Sequence, residues 1–94
     1  MRIGRCFEYY LDNLPENLER LEFEYISTYN LLMDKLPNSI KYIELSGKYQ
    51  QPFNNLPSNI ISVLCHHNYM DEYTKDISSR ALIIYIHEPL SKII

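Results

Sequence analysis

Cys65-His66-His67 is the one cluster in this 94-residue chain that suggests catalysis or a metal. A thiolate next to imidazole can act as a nucleophile, and histidines on neighbouring strands can hold zinc. His66 and His87 make such a pair if their strands stack in register, with Glu24 as a carboxylate two strands away. Successive side chains on a strand point to opposite faces, however, so Cys65 and His66 part company. Cys65 falls among inward apolar positions, where a small buried thiol serves as packing. Two imidazoles and a distant carboxylate, with no second cysteine in range, fall short of a zinc set. Asp71, Glu72 and Asp76 gather charge in an expected loop that lacks the alternating oxygen ligands and central glycine of a calcium loop. Gly4 and Gly47 are the only glycines, so there is no phosphate-cradling loop. These residues predict no catalytic group, no metal and no cofactor, hence no enzyme.

The elements that position them come from an internal repeat. Leu14, Leu18, Leu21 and Phe23 recur as Leu36, Ile40, Ile43 and Leu45, and again as Leu56, Ile60, Val63 and Cys65. A weaker fourth copy reads Ile77, Ala81, Ile84 and Ile86, with Ser78 where the others have Pro15, Pro37 and Pro57. Units starting at residues 14, 36, 56 and 77 have the period of leucine-rich-type solenoids. Proline fixes its own φ and lacks an N–H, so it suits the turn ahead of a strand. The strands then fall at residues 21–23, 43–45, 63–65 and 84–86, each with apolar residues two apart that face one core. Units that run the same way and return through a connection of about ten residues pair in parallel. The expected fold is a leucine-rich-repeat-like solenoid, with short parallel strands stacked on one face and irregular or 3-10 return segments on the other. Residues 1–13 form an N-terminal cap, 14–87 the array and 88–94 a C-terminal capping tail. Arg5, Cys6, Phe7, Tyr9 and Tyr10 supply the first cap with a short strand. Pro89, Leu90, Ile93 and Ile94 cover the last strand's edge.

A second pattern lies between the strands. Tyr29-Asn30 stands ahead of Met33 and Leu36, and Tyr49 leads through Gln50, Gln51, Pro52 and Phe53 to Leu56; Tyr69 and Tyr73 keep the four-residue spacing. These tyrosines read as wedges whose rings pack between units and whose hydroxyls reach an edge. Over Tyr49-Gln50-Gln51-Pro52-Phe53-Asn54-Asn55-Leu56-Pro57, followed by Ser58-Asn59-Ile60, the chain resembles the Phe-Asn-Ile-Pro (FNIP) repeat family. Units of that family, relatives of the leucine-rich repeat, run aromatic, Asn, any residue, Pro, apolar, then Leu-Pro and the strand. The resemblance spans residues 14–86, with a degenerate fourth unit. It implies a protein-interaction module, often joined to an F-box that recruits a ubiquitin ligase. Residues 1–13 are too few for an F-box, so that activity is not expected unless the chain is a fragment of such a receptor.

Residues between the core positions stack into columns on the outer face of the strands, where solenoids of this class bind. The columns are expected to read Arg20, Tyr42, Ser62, Ile83; then Glu22, Glu44, Leu64, Tyr85; then Glu24, Ser46, His66, His87. The face is graded from acidic to apolar and aromatic. Its candidate protein-binding residues are Arg20, Glu22, Glu24, Tyr42, Glu44, Leu64, His66, Tyr85 and His87, and a cationic partner segment would relieve the stacked glutamates. The other reading is a degenerate array with a structural or self-associating role. A net charge of -3 and scattered basic residues exclude the electrostatic footprint of nucleic-acid binding. No apolar run reaches the roughly 18 residues that cross a bilayer, and the first ten residues do not read as a secretory signal. Cys6 and Cys65 are then expected as reduced thiols in an intracellular, cytoplasmic protein.

Overall fold

Three prolines set where the strands begin. The amide of Leu18 donates to the Pro15 carbonyl, Ile40 to Pro37 and Ile60 to Pro57, each at 3.2 Å. Two residues beyond each turn the chain extends, giving β2 (Arg20–Phe23), β3 (Tyr42–Glu44) and β4 (Ser62–His66) behind a short β1 (Arg2–Ile3). A helix, α1 (Asp71–Ser78), and a last strand, β5 (Leu82–Ile86), follow. The computed structural model describes residues 1–4, 7, 9–66, 68, 69 and 71–86. All five strands form one sheet in sequential order, every pair parallel, which makes the chain a repeat solenoid.

The sheet's inner face is the core. Register sets Leu21 against Ile43 and Ile43 against Val63, and Phe23, Leu45 and Cys65 follow two residues on in their own strands. All six side chains are almost wholly buried. At about 1.5 to 3 kcal/mol for each large apolar side chain removed from water, these columns supply much of the driving force that offsets chain ordering. The opposite wall is built from the aromatic wedges. Ring centroids step from Phe7 to Tyr29 (5.9 Å), Tyr49 (6.5 Å), Tyr69 (6.3 Å) and Tyr73 (5.6 Å). Three wedge hydroxyls donate to a carbonyl of the preceding turn of chain: Tyr29 to Tyr9 at 2.9 Å, Tyr49 to Leu31 at 2.9 Å, Tyr69 to Gln51 at 2.7 Å. Side-chain amides stitch the same seam, as where Asn30 Oδ1 accepts from the Gln50 amide at 2.8 Å and Asn68 Nδ2 donates to Gly47 at 3.0 Å.

The N-terminal strand lies earlier than the expected Arg5–Tyr10 stretch. Arg2 pairs with Glu22 and Ile3 with Phe23. Ile3 stands 20 residues before Phe23, Phe7 and Leu11 stand 22 before Tyr29 and Met33, so these residues carry the second half of another repeat. Ile3, Leu11, Phe23, Tyr29 and Met33 are all buried, and Phe7 packs against them. Arg5 and Cys6 lie outside the described residues, as do Pro89, Leu90, Ile93, Ile94 and the rest of the expected tail.

The fourth unit departs from its expected phase by one residue. Val63 pairs with Ile83 and Cys65 with Tyr85, so Ile83 and Tyr85 continue the inner columns, while Leu82 and Ile84 continue the outer ones. The expected inward pair was Ile84 and Ile86. Two physical features explain the slip. Helix α1 replaces the irregular return and its turn is closed by Arg80 donating to Ile77, so Ile77 occupies the turn position that Pro57 holds one unit earlier. The segment Leu82-Ile83-Ile84-Tyr85-Ile86 is apolar at every position, so alternation supplies no phase to fix its register. The helix also overturns the loop expected at Asp71, Glu72 and Asp76.

Candidate functional site

The outer sheet face is assembled by β2, β3, β4 and β5. Backbone register puts Arg20, Tyr42, Ser62 and Leu82 in one column, and Arg2, Glu22, Glu44, Leu64 and Ile84 in the next. The first three units place Arg20, Glu22, Tyr42, Glu44 and Leu64 as their spacing foretells. Ile83 and Tyr85 leave the outer columns, and Leu82 and Ile84, which the spacing assigned to neither outer column, enter them. Leu82 is 63% exposed and Ile84 40%, so the apolar end of this face is truly open to solvent among the described residues.

Charge at the other end is largely settled within the chain. Glu22 takes Arg2 at 3.4 Å from β1 and Arg20 at 3.9 Å from its own strand, so no outside cation is needed to relieve it. The Arg20 guanidinium also lies over the Tyr42 ring, 4.6 Å from its centroid, and the N-terminal ammonium donates to the Arg20 carbonyl at 2.9 Å. Glu44 is different. It faces Glu22 directly across the strand pair. Partial burial, and then the Glu22 charge, push its carboxyl above the ordinary range, with Arg2 and Arg20 opposing. Glu44 is thus a half-buried carboxylate whose column neighbours are Glu22 and Leu64.

Two residues of the third column are less accessible than strand alternation implies. His66 is only 5% exposed, because the Tyr25 ring stands edge-on to it at 4.5 Å. Tyr25 reaches that far by lying across Gly47: a Cβ on Gly47 would sit 2.9 Å from Tyr25 Cε2 and 3.0 Å from its carbonyl oxygen. Ser46 is buried in the same place, with its hydroxyl donating to the Tyr29 carbonyl at 3.3 Å. Glu24 sits just past β2, half-buried, its amide donating to Ile3 at 3.2 Å. His87 lies outside the described residues.

Nucleophilic chemistry at Cys65 finds no support in the geometry. The thiol is free, faces the core and is fully buried, and burial pushes its pKa up to about 11. Such a group is protonated and shielded at neutral pH, the reverse of an activated thiolate. Among the described residues no three acidic, histidine or cysteine side chains converge to hold a metal. Depressions open on the loop side: one of about 240 Å³ is lined by Tyr10, Asp12, Leu32, Asp34 and Lys35, and another by Tyr25, Ile26, Gly47, Lys48 and Asn68. Neither joins a thiol to an imidazole. Asp12 and Asp34 stand one repeat apart, and buried Asp34 Oδ1 has no hydrogen-bond partner among the described residues.

No family model matches the chain, and neither a curated protein nor a solved structure does so. No helix among the described residues is long and apolar enough to cross a membrane.

Proposed function

We propose that this chain is a non-enzymatic, FNIP-like and leucine-rich-repeat-like module that binds another protein across the outer face of its sheet. The observation that carries the reading is the open apolar end of that face, where Leu82 and Ile84 are exposed beside Leu64 and the half-buried Glu44. Apolar side chains gathered on a solvent-facing sheet commonly mark a contact surface. A rigid, regularly spaced face suits recognition, and nothing in the described depressions assembles a reacting group. The binding residues are Tyr42, Glu44, Leu64, Leu82 and Ile84, with Arg20 and Glu22 as an internally paired acidic-basic rim. A buried, protonated Cys65 thiol accords with a reducing, intracellular setting.

The test is affinity capture from the native cell with wild type and with the variant Tyr42→Ala, Glu44→Lys, Leu64→Ala. Loss of a specific partner with an unchanged melting temperature supports the reading. Retention of every partner by a folded variant overturns it.

A further inference from the structure

Strand β5 holds a register that the offsets of its own repeat do not favour. In the Leu-Pro units the core residues stand seven and three residues before the strand's first inward position and two after it. Leu56, Ile60 and Cys65 keep those offsets about Val63, as Leu36, Ile40 and Leu45 do about Ile43, and all six are buried. The structure pairs Val63 with Ile83, so the same offsets fall on Asp76, Arg80 and Tyr85. Asp76 and Arg80 are exposed, and Tyr85, although it continues an inner column, is 49% exposed. Counted from Ile84 instead, the offsets fall on Ile77, Ala81 and Ile86, apolar at every place. A slip of one residue turns every side chain of a strand to its other face, and in LIIYI that exchanges apolar for apolar throughout.

The turn ahead of β5 serves either count. Each earlier turn starts at a proline whose carbonyl accepts the amide three residues on. Here the Ile77 carbonyl accepts two amides, Arg80 and Ala81, each at 2.9 Å. The first bond is the turn of the earlier units, and the second has the spacing of a further helical turn. Ser78 stands where those units have proline, and it lies inside α1, with its hydroxyl donating to the Lys75 carbonyl at 3.0 Å. Proline is excluded from a helix interior because it lacks the N–H and clashes with the preceding turn, whereas serine is admitted both there and at the start of a turn. Releasing Ser78 from α1 moves the turn on by one residue. Ala81 then donates to Ser78 instead of Ile77, and Ile83 replaces Leu82 as donor to the Ile61 carbonyl, a bond of 2.9 Å in the present register.

We infer that β5 is a two-register strand, exchanging between the present pairing of Val63 with Ile83 and one slipped by a residue that pairs Val63 with Ile84. The present register keeps the last turn of α1 and leaves Leu82, Ile84 and Tyr85 exposed; the slipped one gives up that turn and restores an apolar residue at every core offset. The exchange rewrites the C-terminal end of the outer face, where Leu82 and Ile84 give way to Ile83 and Tyr85. A ligand that prefers one of these pairs shifts the equilibrium toward it. The exchange itself belongs to the free chain and stands whether or not the outer face binds a protein.

The experiment is NMR on the full chain, with relaxation-dispersion and saturation-transfer measurements that detect exchange in the microsecond to millisecond range. The expected result is a second set of signals over residues 77–86, populated at about 1 to 10% and carrying strand-like shifts. Ser78→Pro gives the fourth unit the proline of the other three and disfavours the last turn of α1 by roughly a hundredfold, so the slipped register is expected in half the molecules or more. Its backbone Overhauser contacts then run from Val63 to Ile84, and its shifts match the second set of wild type. Should Ser78→Pro fail to fold, Ile83→Lys reaches the same register by another route, because it places the charge on the outer face. Ile84→Lys, with its charge outward in the present register, is expected to fold and to lose the second set. A single set of signals in wild type overturns the proposal. So does a second set with unpaired, coil-like shifts, its persistence in folded Ile84→Lys, or a folded Ser78→Pro or Ile83→Lys in which position 83 still pairs with Val63.

Discussion

Removing the Tyr49 hydroxyl tests the wedge ladder most directly. Tyr49→Phe leaves the ring in its stack, 6.5 Å from Tyr29, 6.3 Å from Tyr69 and 5.9 Å from Phe53, and deletes only the 2.9 Å hydrogen bond to the Leu31 carbonyl. A neutral hydrogen bond contributes about 0.5 to 1.5 kcal/mol, and a buried carbonyl left unsatisfied costs up to about 3. Leu31 is only partly buried, so water can reach its neighbourhood and the expected loss is about 1 to 2 kcal/mol at neutral pH. For a chain of this size that lowers Tm by about 4 to 12 °C. The gap narrows in alkali. Burial, then the neighbouring Tyr69 and Tyr29 hydroxyls, raise the Tyr49 pKa far above its ordinary 10. The folded state therefore keeps a proton that the unfolded state loses, and the stability present below pH 10 declines as pH rises beyond it. Phenylalanine has no such proton. Its deficit relative to wild type should narrow by about 1.4 kcal/mol at about pH 11. Urea unfolding followed by circular dichroism at pH 7 and pH 11 measures both gaps. Equal stability at pH 7, or the same gap at both pH values, refutes the ladder argument.

The remaining predictions concern the other contacts that shape the faces. Gly47→Ala should destabilise by about 1 to 3 kcal/mol, since its methyl meets the Tyr25 carbonyl that accepts the Gly47 amide at 2.9 Å. In the NMR spectrum the ring-current shift on His66 should vanish with it, and an unchanged spectrum would contradict the contact. Glu44→Gln should stabilise at neutral pH by about 0.2 to 1 kcal/mol by removing the cross-strand repulsion with Glu22. Because the fold raises the Glu44 pKa, wild type loses stability as pH rises from about 4.5 through that raised value, so the advantage of glutamine disappears in acid; a thermal-melt series from pH 3.5 to 7 checks the slope. In a Cys6→Ser background, Cys65 should react with a disulfide reagent only as fast as the chain unfolds, and rapid labelling of the native protein would reject its placement in the core.

The outer-face residues were legible in three units because two periodicities agreed there. Pro15, Pro37 and Pro57 fixed the turns, and alternation in Arg20-Leu21-Glu22-Phe23 and Tyr42-Ile43-Glu44 fixed which side chains turned inward. The wedge spacing of Tyr29, Tyr49 and Tyr69 placed their rings in the core, and Cys65 fell inward by the same count. The missed half-repeat at Ile3, Phe7 and Leu11 carries the right spacing but no Leu-Pro to announce it.

Sequence alone determined the solenoid, its parallel strands and the inward column through Cys65, because a recurring offset forces equivalent residues into equivalent places. Tertiary structure decided what those offsets leave open. It set the phase of β5, where an unbroken apolar run has no preferred face, through the turn that follows α1. Across longer distances, it carried Tyr25 over Gly47 to bury His66, and Arg2 from β1 to Glu22. Contacts between side chains a whole turn of chain apart depend on the pitch of the stack, and no local pattern encodes that.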